Sequence, residues 1–78
     1  MRGTGPVEVN GNTVYAYFNV GDVGLIRLRV SVDECDRLGL SGGHRVQVGL
    51  PGRGPAEVLV AEVRRVPPVV RLDLRPQA

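Results

Sequence analysis

The chain has 78 residues, 42% of them apolar, with ten Arg, eight acidic residues and a formal charge of +2. That length allows one domain, residues 1–78, whose single core yields only about 3–5 kcal/mol net, and so small a charge excludes a strongly polybasic or polyacidic protein. No apolar run approaches the ~18 residues of a membrane span, and the start "MRGTGPVEV" lacks the apolar stretch of a secretion signal, so a cytoplasmic protein without membrane contact is expected.

Fifteen residues are Val and only three are aromatic, a balance that favours pleated sheet over helix. Val7 to Val9 reads as a short strand, and Asn10-Gly11-Asn12 is a hairpin turn, because Asn and Gly tolerate positive φ. Thr13 to Asn19 returns, with Val14, Ala16 and Phe18 on one face and Tyr15 and Tyr17 on the other. "VGDVG" (residues 20–24) breaks the pattern as a loop. "LIRLRV" then alternates Ile26, Leu28 and Val30, facing a core, with Arg27 and Arg29, facing water.

"SVDECDRLGL" is the one helix: Ser31 and Glu34 form a capping box, Asp33 and Glu34 sit at the positive end of the dipole, and Gly39 closes it after two turns. Cys35, the only cysteine, lies on this helix as a small buried hydrophobe, and a single thiol forms neither an internal disulfide nor a cysteine-cluster metal site. His44 to Leu50 resumes strand character with Val46, Val48 and Leu50 inward. "PGRGP" (residues 51–55) is an exposed loop tip.

Ala56 to Val66 is long for one strand. Val58 and Val60 share a parity that Val63 does not, which predicts a bulge near Ala61. Pro67-Pro68 interrupts pairing, "VVRLDL" alternates Val70, Leu72 and Leu74 with Arg71 and Asp73, and "RPQA" is expected to fray. Six short strands and one brief helix leave no room for βαβ crossovers, so the fold class is mainly β: a small antiparallel barrel of about six strands.

"VNGNTVYAYFNVG" (residues 9–21) resembles the first half of retropepsin-like aspartic proteases, in which an apolar-Asn-Gly turn and an apolar strand lead to Asp-Thr/Ser-Gly. The alignment needs no gap, and Asn19-Val20-Gly21 falls on the catalytic triplet. Leu25-Ile26 and Leu38 to Leu40 lie where that family has its Leu-Ile strand and Leu-Gly-Leu helix end, and residues 44–63 resemble its Gly-tipped flap. The resemblance implies a homodimer of barrels paired about a two-fold axis, with position 19 at the seat of an ionisable group near the centre. That family's reaction needs two carboxylates sharing a proton, and Asn19 has no titratable group. Val20 likewise lacks the hydroxyl that buttresses the pair. An active peptidase would therefore need Asp22 to substitute, and a shift of three positions changes both depth and direction.

"RLRVSVDECDRLGLSGGHRVQV" (residues 27–48) is similar to the strand, short acidic helix and glycine turn of AbrB-like swapped-hairpin DNA-binding domains and of double-psi barrels. His44 stands where those patterns have Asp. This resemblance implies a DNA-binding or antitoxin-type regulator.

Three function classes follow: a protease-like barrel without chemistry acting as a dimeric binding or structural module, a DNA-binding barrel dimer, and a peptide- or protein-interaction module. Residues 1–44 carry four Arg against five acids, residues 45–78 six against three. The candidate phosphate-gripping residues are Arg27, Arg29, Arg45, Arg53, Arg64 and Arg65. Against that role, they read as solvated strand faces paired with Glu57, Glu62 and Asp73, with no basic helix or aromatic platform beside them. His44 has no second His or thiol to complete a metal site, Gly52-Arg53-Gly54 lacks the Lys and helix of a phosphate loop, and no cofactor is expected.

Overall fold

Seven stretches take regular structure in the computed structural model, which describes residues 1–77. They are β1 (Arg2–Val9), β2 (Asn12–Val20), β3 (Ile26–Ser31), α1 (Val32–Leu38), β4 (Arg45–Gly49), β5 (Ala56–Val66) and β6 (Val69–Pro76). The strands close into a barrel in the order β1-β2-β3-β6-β5-β4, and every neighbouring pair is antiparallel. The fold is thus the expected six-stranded antiparallel barrel, built from two three-stranded meanders that α1 connects.

Alternation drives the closure. Val7 and Val9, then Val14, Ala16 and Phe18, then Ile26, Leu28 and Val30, then Val46 and Val48, then Val58 and Val60, then Val70, Leu72 and Leu74 all point into one cluster. Leu50 and Cys35 join it from the ends, Cys35 being only 2% exposed. Among the described residues no polar or charged side chain is buried. The lumen is a filled aliphatic core.

Two expectations are corrected. The first strand begins at Arg2 rather than Val7, pairing with β2 from Arg2↔Asn19 to Val9↔Asn12. Gly3, Gly5 and Pro6 disguise it, because none favours a strand by itself. Pro6 is tolerated because β4 pairs with β1 only at Glu8 and Val9, so its missing N–H falls on a side with no ladder. Gly3 is needed for space: a Cβ there would lie 3.1 Å from Cζ of Phe18, so the ring folds over the glycine and plugs that barrel end. The expected frayed tail is also corrected, since Arg75 and Pro76 continue β6 and the Gln77 N–H reaches the Glu57 carbonyl at 3.3 Å; Ala78 lies outside the described residues.

The predicted bulge falls between Val60 and Glu62. It turns Val63 and Arg65 to the inward side, opposite Leu72 and Val70, and Glu62 and Arg64 outward, opposite Asp73 and Arg71. At the helix, Ser31 accepts the Glu34 N–H at 3.1 Å and Gly39 closes the last turn at φ 66°. α1 also completes the sheet. β3 pairs with β2 only as far as Tyr17, and beyond that point a carboxylate oxygen of Glu34 accepts the Tyr15 N–H at 3.2 Å while Arg37 donates to the Thr13 carbonyl at 3.4 Å.

Candidate functional site

With the interior filled by apolar side chains, any ligand chemistry must lie on the outside of the barrel. The strand registers organise that surface into rows. One row runs Thr4, Tyr17, Arg29, Arg71, Arg64 across β1, β2, β3, β6 and β5. The next runs Arg2, Asn19, Arg27, Asp73, Glu62 across the same strands. Together the rows hold five Arg against two carboxylates, a local excess of three positive charges on a chain whose total is +2.

The acids occupy one row and leave the other bare. Arg27 pairs with Asp73 at 3.6 Å and Arg64 with Glu62 at 3.1 Å. Arg29 lies over the Tyr17 ring, 5.2 Å from its centroid, a cation–π contact. Arg71 stands between Arg29 and Arg64, directly opposite both, and no carboxylate lies within ion-pair distance of it among the described residues. Like charges directly opposite across strands are destabilising. The side chains border an open pocket of about 220 Å³ lined by Arg27, Glu62, Arg64, Arg71 and Asp73, and an adjoining hollow lined by Tyr17, Asn19, Arg29 and again Arg27 and Arg71. Tyr15, 65% exposed, lies two residues from Tyr17 on the same side of β2.

Of the sequence candidates, Arg27, Arg29 and Arg64 therefore meet on one face. The other three do not join them. Arg65, which the bulge puts on the same strand face as Val63 while leaving it exposed, makes an ion pair with Asp36 of α1, which raises its already high pKa. Arg45 opens β4, opposite Leu59, and Arg53 sits in the exposed 51–55 loop beside Pro51 and Pro55. Arg71 and Arg2 were missed. Arg71 was legible as the wet face of the last strand, but its position between two other arginines follows from pairing that no single segment reveals, and Arg2 lay in a segment not read as strand. The tyrosines, read only as the wet face of β2, supply an aromatic flank to the arginines that the sequence reading did not anticipate.

Asn19 stands on the outer face, half-buried between Arg2 and Arg27, and not at the barrel's centre. Parity decides this: Phe18 takes the inward seat, so its neighbour must face out. Val20 ends β2, and Gly21 and Asp22 are exposed in the following loop. Asn19, Gly21, Val23, Leu25 and Arg27 line a shallow pocket, which contains no carboxylate. The expected ion partner Glu57 lies opposite Gln47 on β4, and none of the four ion pairs among the described residues includes it. His44 is exposed, with Ser41 Oγ 3.1 Å from its Nε2. Burial pushes the Cys35 thiol above its ordinary pKa, partly offset by Arg65, so it is held as the neutral thiol.

No family model, no curated protein and no solved structure matches this chain.

Proposed function

We propose that this barrel is a non-catalytic binding module whose ligand is a nucleic acid, gripped through its phosphates by the outer face of β2, β3, β6 and β5. The observation that carries the reading is the Arg29, Arg71, Arg64 row, three adjacent cations of which the middle one makes no ion pair among the described residues. Their mutual repulsion costs stability in the free protein and is relieved when an anion settles among them. Arg suits this role because its planar fork meets phosphate oxygens in pairs. The exposed Tyr15 beside Tyr17 favours a single strand, whose unstacked bases can lie on an aromatic face while the phosphates track the arginines.

A non-catalytic role is supported by the surroundings of position 19, where the uncharged Asn19 stands on the outer face between Arg2 and Arg27 and the shallow pocket beside it, lined by Asn19, Gly21, Val23, Leu25 and Arg27, offers no pair of carboxylates to share a proton. The test is fluorescence anisotropy with labelled single-stranded and duplex oligonucleotides over a salt series. The reading expects binding to the single strand that weakens steeply with salt, and less to the duplex. Equal binding to both would remove the role given to the tyrosines. No binding at low salt would remove the nucleic-acid reading altogether.

A further inference from the structure

The barrel is unevenly closed. β4 has five residues and β5 eleven, and the ladder between them runs only from Val48↔Ala56 to Arg45↔Leu59. Two further bonds, Gly43 N–H to the Val60 carbonyl and Val60 N–H to the His44 carbonyl, both at 2.8 Å, end it. From Ala61 to Val66, β5 pairs with β6 alone, and among the described residues no backbone hydrogen bond reaches its other edge there, although the Arg65 side chain ties that end of the strand to Asp36 of α1. β1 has a similar gap, but Pro6 stands in it and Pro51 comes within 3.4 Å of where a Gly5 Cβ would lie. Such residues guard an edge. The β5 edge has no proline until Pro67.

Val60 turns both its N–H and its C=O toward β4. The bulge adds one residue, so the next groups in that phase belong to Val63 and Arg65. An added antiparallel strand would bond to those. The side chains between them, Glu62 and Arg64, stand on the outward face with opposite charge, and the segment Ala61-Glu62-Val63-Arg64-Arg65 is charge-complementary to itself when reversed about Val63.

We propose that a second copy of this chain adds to this edge: the two β5 strands pair antiparallel about a two-fold axis at Val63, with Glu62 opposite the partner's Arg64 and Arg64 opposite the partner's Glu62. Charge selects the register. The outward side chains restrict allowed slips to steps of two residues, and one step either way sets Glu62 against itself or Arg64 against itself, both repulsive. The interface is short and its affinity low, as expected for a contact of a few ladder bonds. Because the axis stands perpendicular to the joined sheet, both arginine faces lie on the same side, and one polyanion can engage the two together.

The inference does not rest on nucleic-acid binding, and its test uses protein alone. Sedimentation equilibrium from about 1 μM to about 1 mM should show the mass rise from 8.4 kDa toward twice that value. Glu62→Arg sets two arginines opposite two others and should hold the chain monomeric throughout. Glu62→Arg combined with Arg64→Glu restores opposite charges and should restore association. Both residues are exposed, and circular dichroism checks that the variants fold. A monomer at all concentrations, a dimer indifferent to Glu62→Arg, or a double variant that stays monomeric would each overturn the proposal.

Discussion

Replacing Arg71 with Gln should make the protein more stable and a poorer ligand-binder at once. Neighbouring strands are about 4.8 Å apart, so Arg29, Arg71 and Arg64 span about 10 Å, close to the Debye length in 0.1 M salt. Two unit charges 5 Å apart in water repel by about 0.8 kcal/mol. Splaying of long exposed side chains and screening lower that to a few tenths per neighbour, and Arg71 has two such neighbours. The variant keeps part of the aliphatic stem, so little packing is lost. Urea unfolding at low salt should therefore show a gain of roughly 0.3–1 kcal/mol, with unchanged slope, that disappears near 0.5 M salt. Oligonucleotide affinity should fall, and the dependence of log K on log salt should flatten by about one contact. A stability loss at low salt, or an unaltered salt dependence of binding, would refute the reasoning.

Phe18→Ala should cost about 3–5 kcal/mol, because the ring is buried and packs directly over Gly3; in a domain this small, denaturant titration should show a substantially unfolded population. Glu34→Ala removes both an arm of the capping box and the acceptor for the Tyr15 N–H, so it should cost about 1–2 kcal/mol and speed hydrogen exchange at Tyr15. The raised Cys35 pKa sets a pH dependence: stability is full below the unfolded thiol's pKa of about 8.5 and falls as pH rises through the higher folded value, since the unfolded chain then binds fewer protons. Cys35→Ala should abolish that decline in thermal melts between pH 7 and about 10.

The sequence carried most of the fold because parity is a local property. Val14, Ala16 and Phe18, then Ile26, Leu28 and Val30, declared their inward faces, and the slip between Val60 and Val63 declared the bulge. β1 was hidden because Gly3, Gly5 and Pro6 serve packing and an unpaired edge rather than strand propensity. The candidate site was only half legible. Each arginine's face could be read, but whether Arg29 meets Arg71, and Arg71 meets Arg64, depends on registers between strands about forty and seven residues apart in sequence. The same bulge sends Arg64 outward and Arg65 to Asp36, so two adjacent and chemically identical residues have different roles. At position 19 the catalytic motif resemblance assigned a central seat, whereas strand parity assigned the outer face.

The most direct test is a nitrogen–proton NMR titration of the chain with a short single-stranded oligonucleotide at low salt. The account predicts that amide shifts concentrate at Tyr15, Tyr17, Arg29, Arg64 and Arg71 and reverse when salt is added. Shifts clustered instead around Arg45 and Arg53, or none at saturating oligonucleotide, would contradict it.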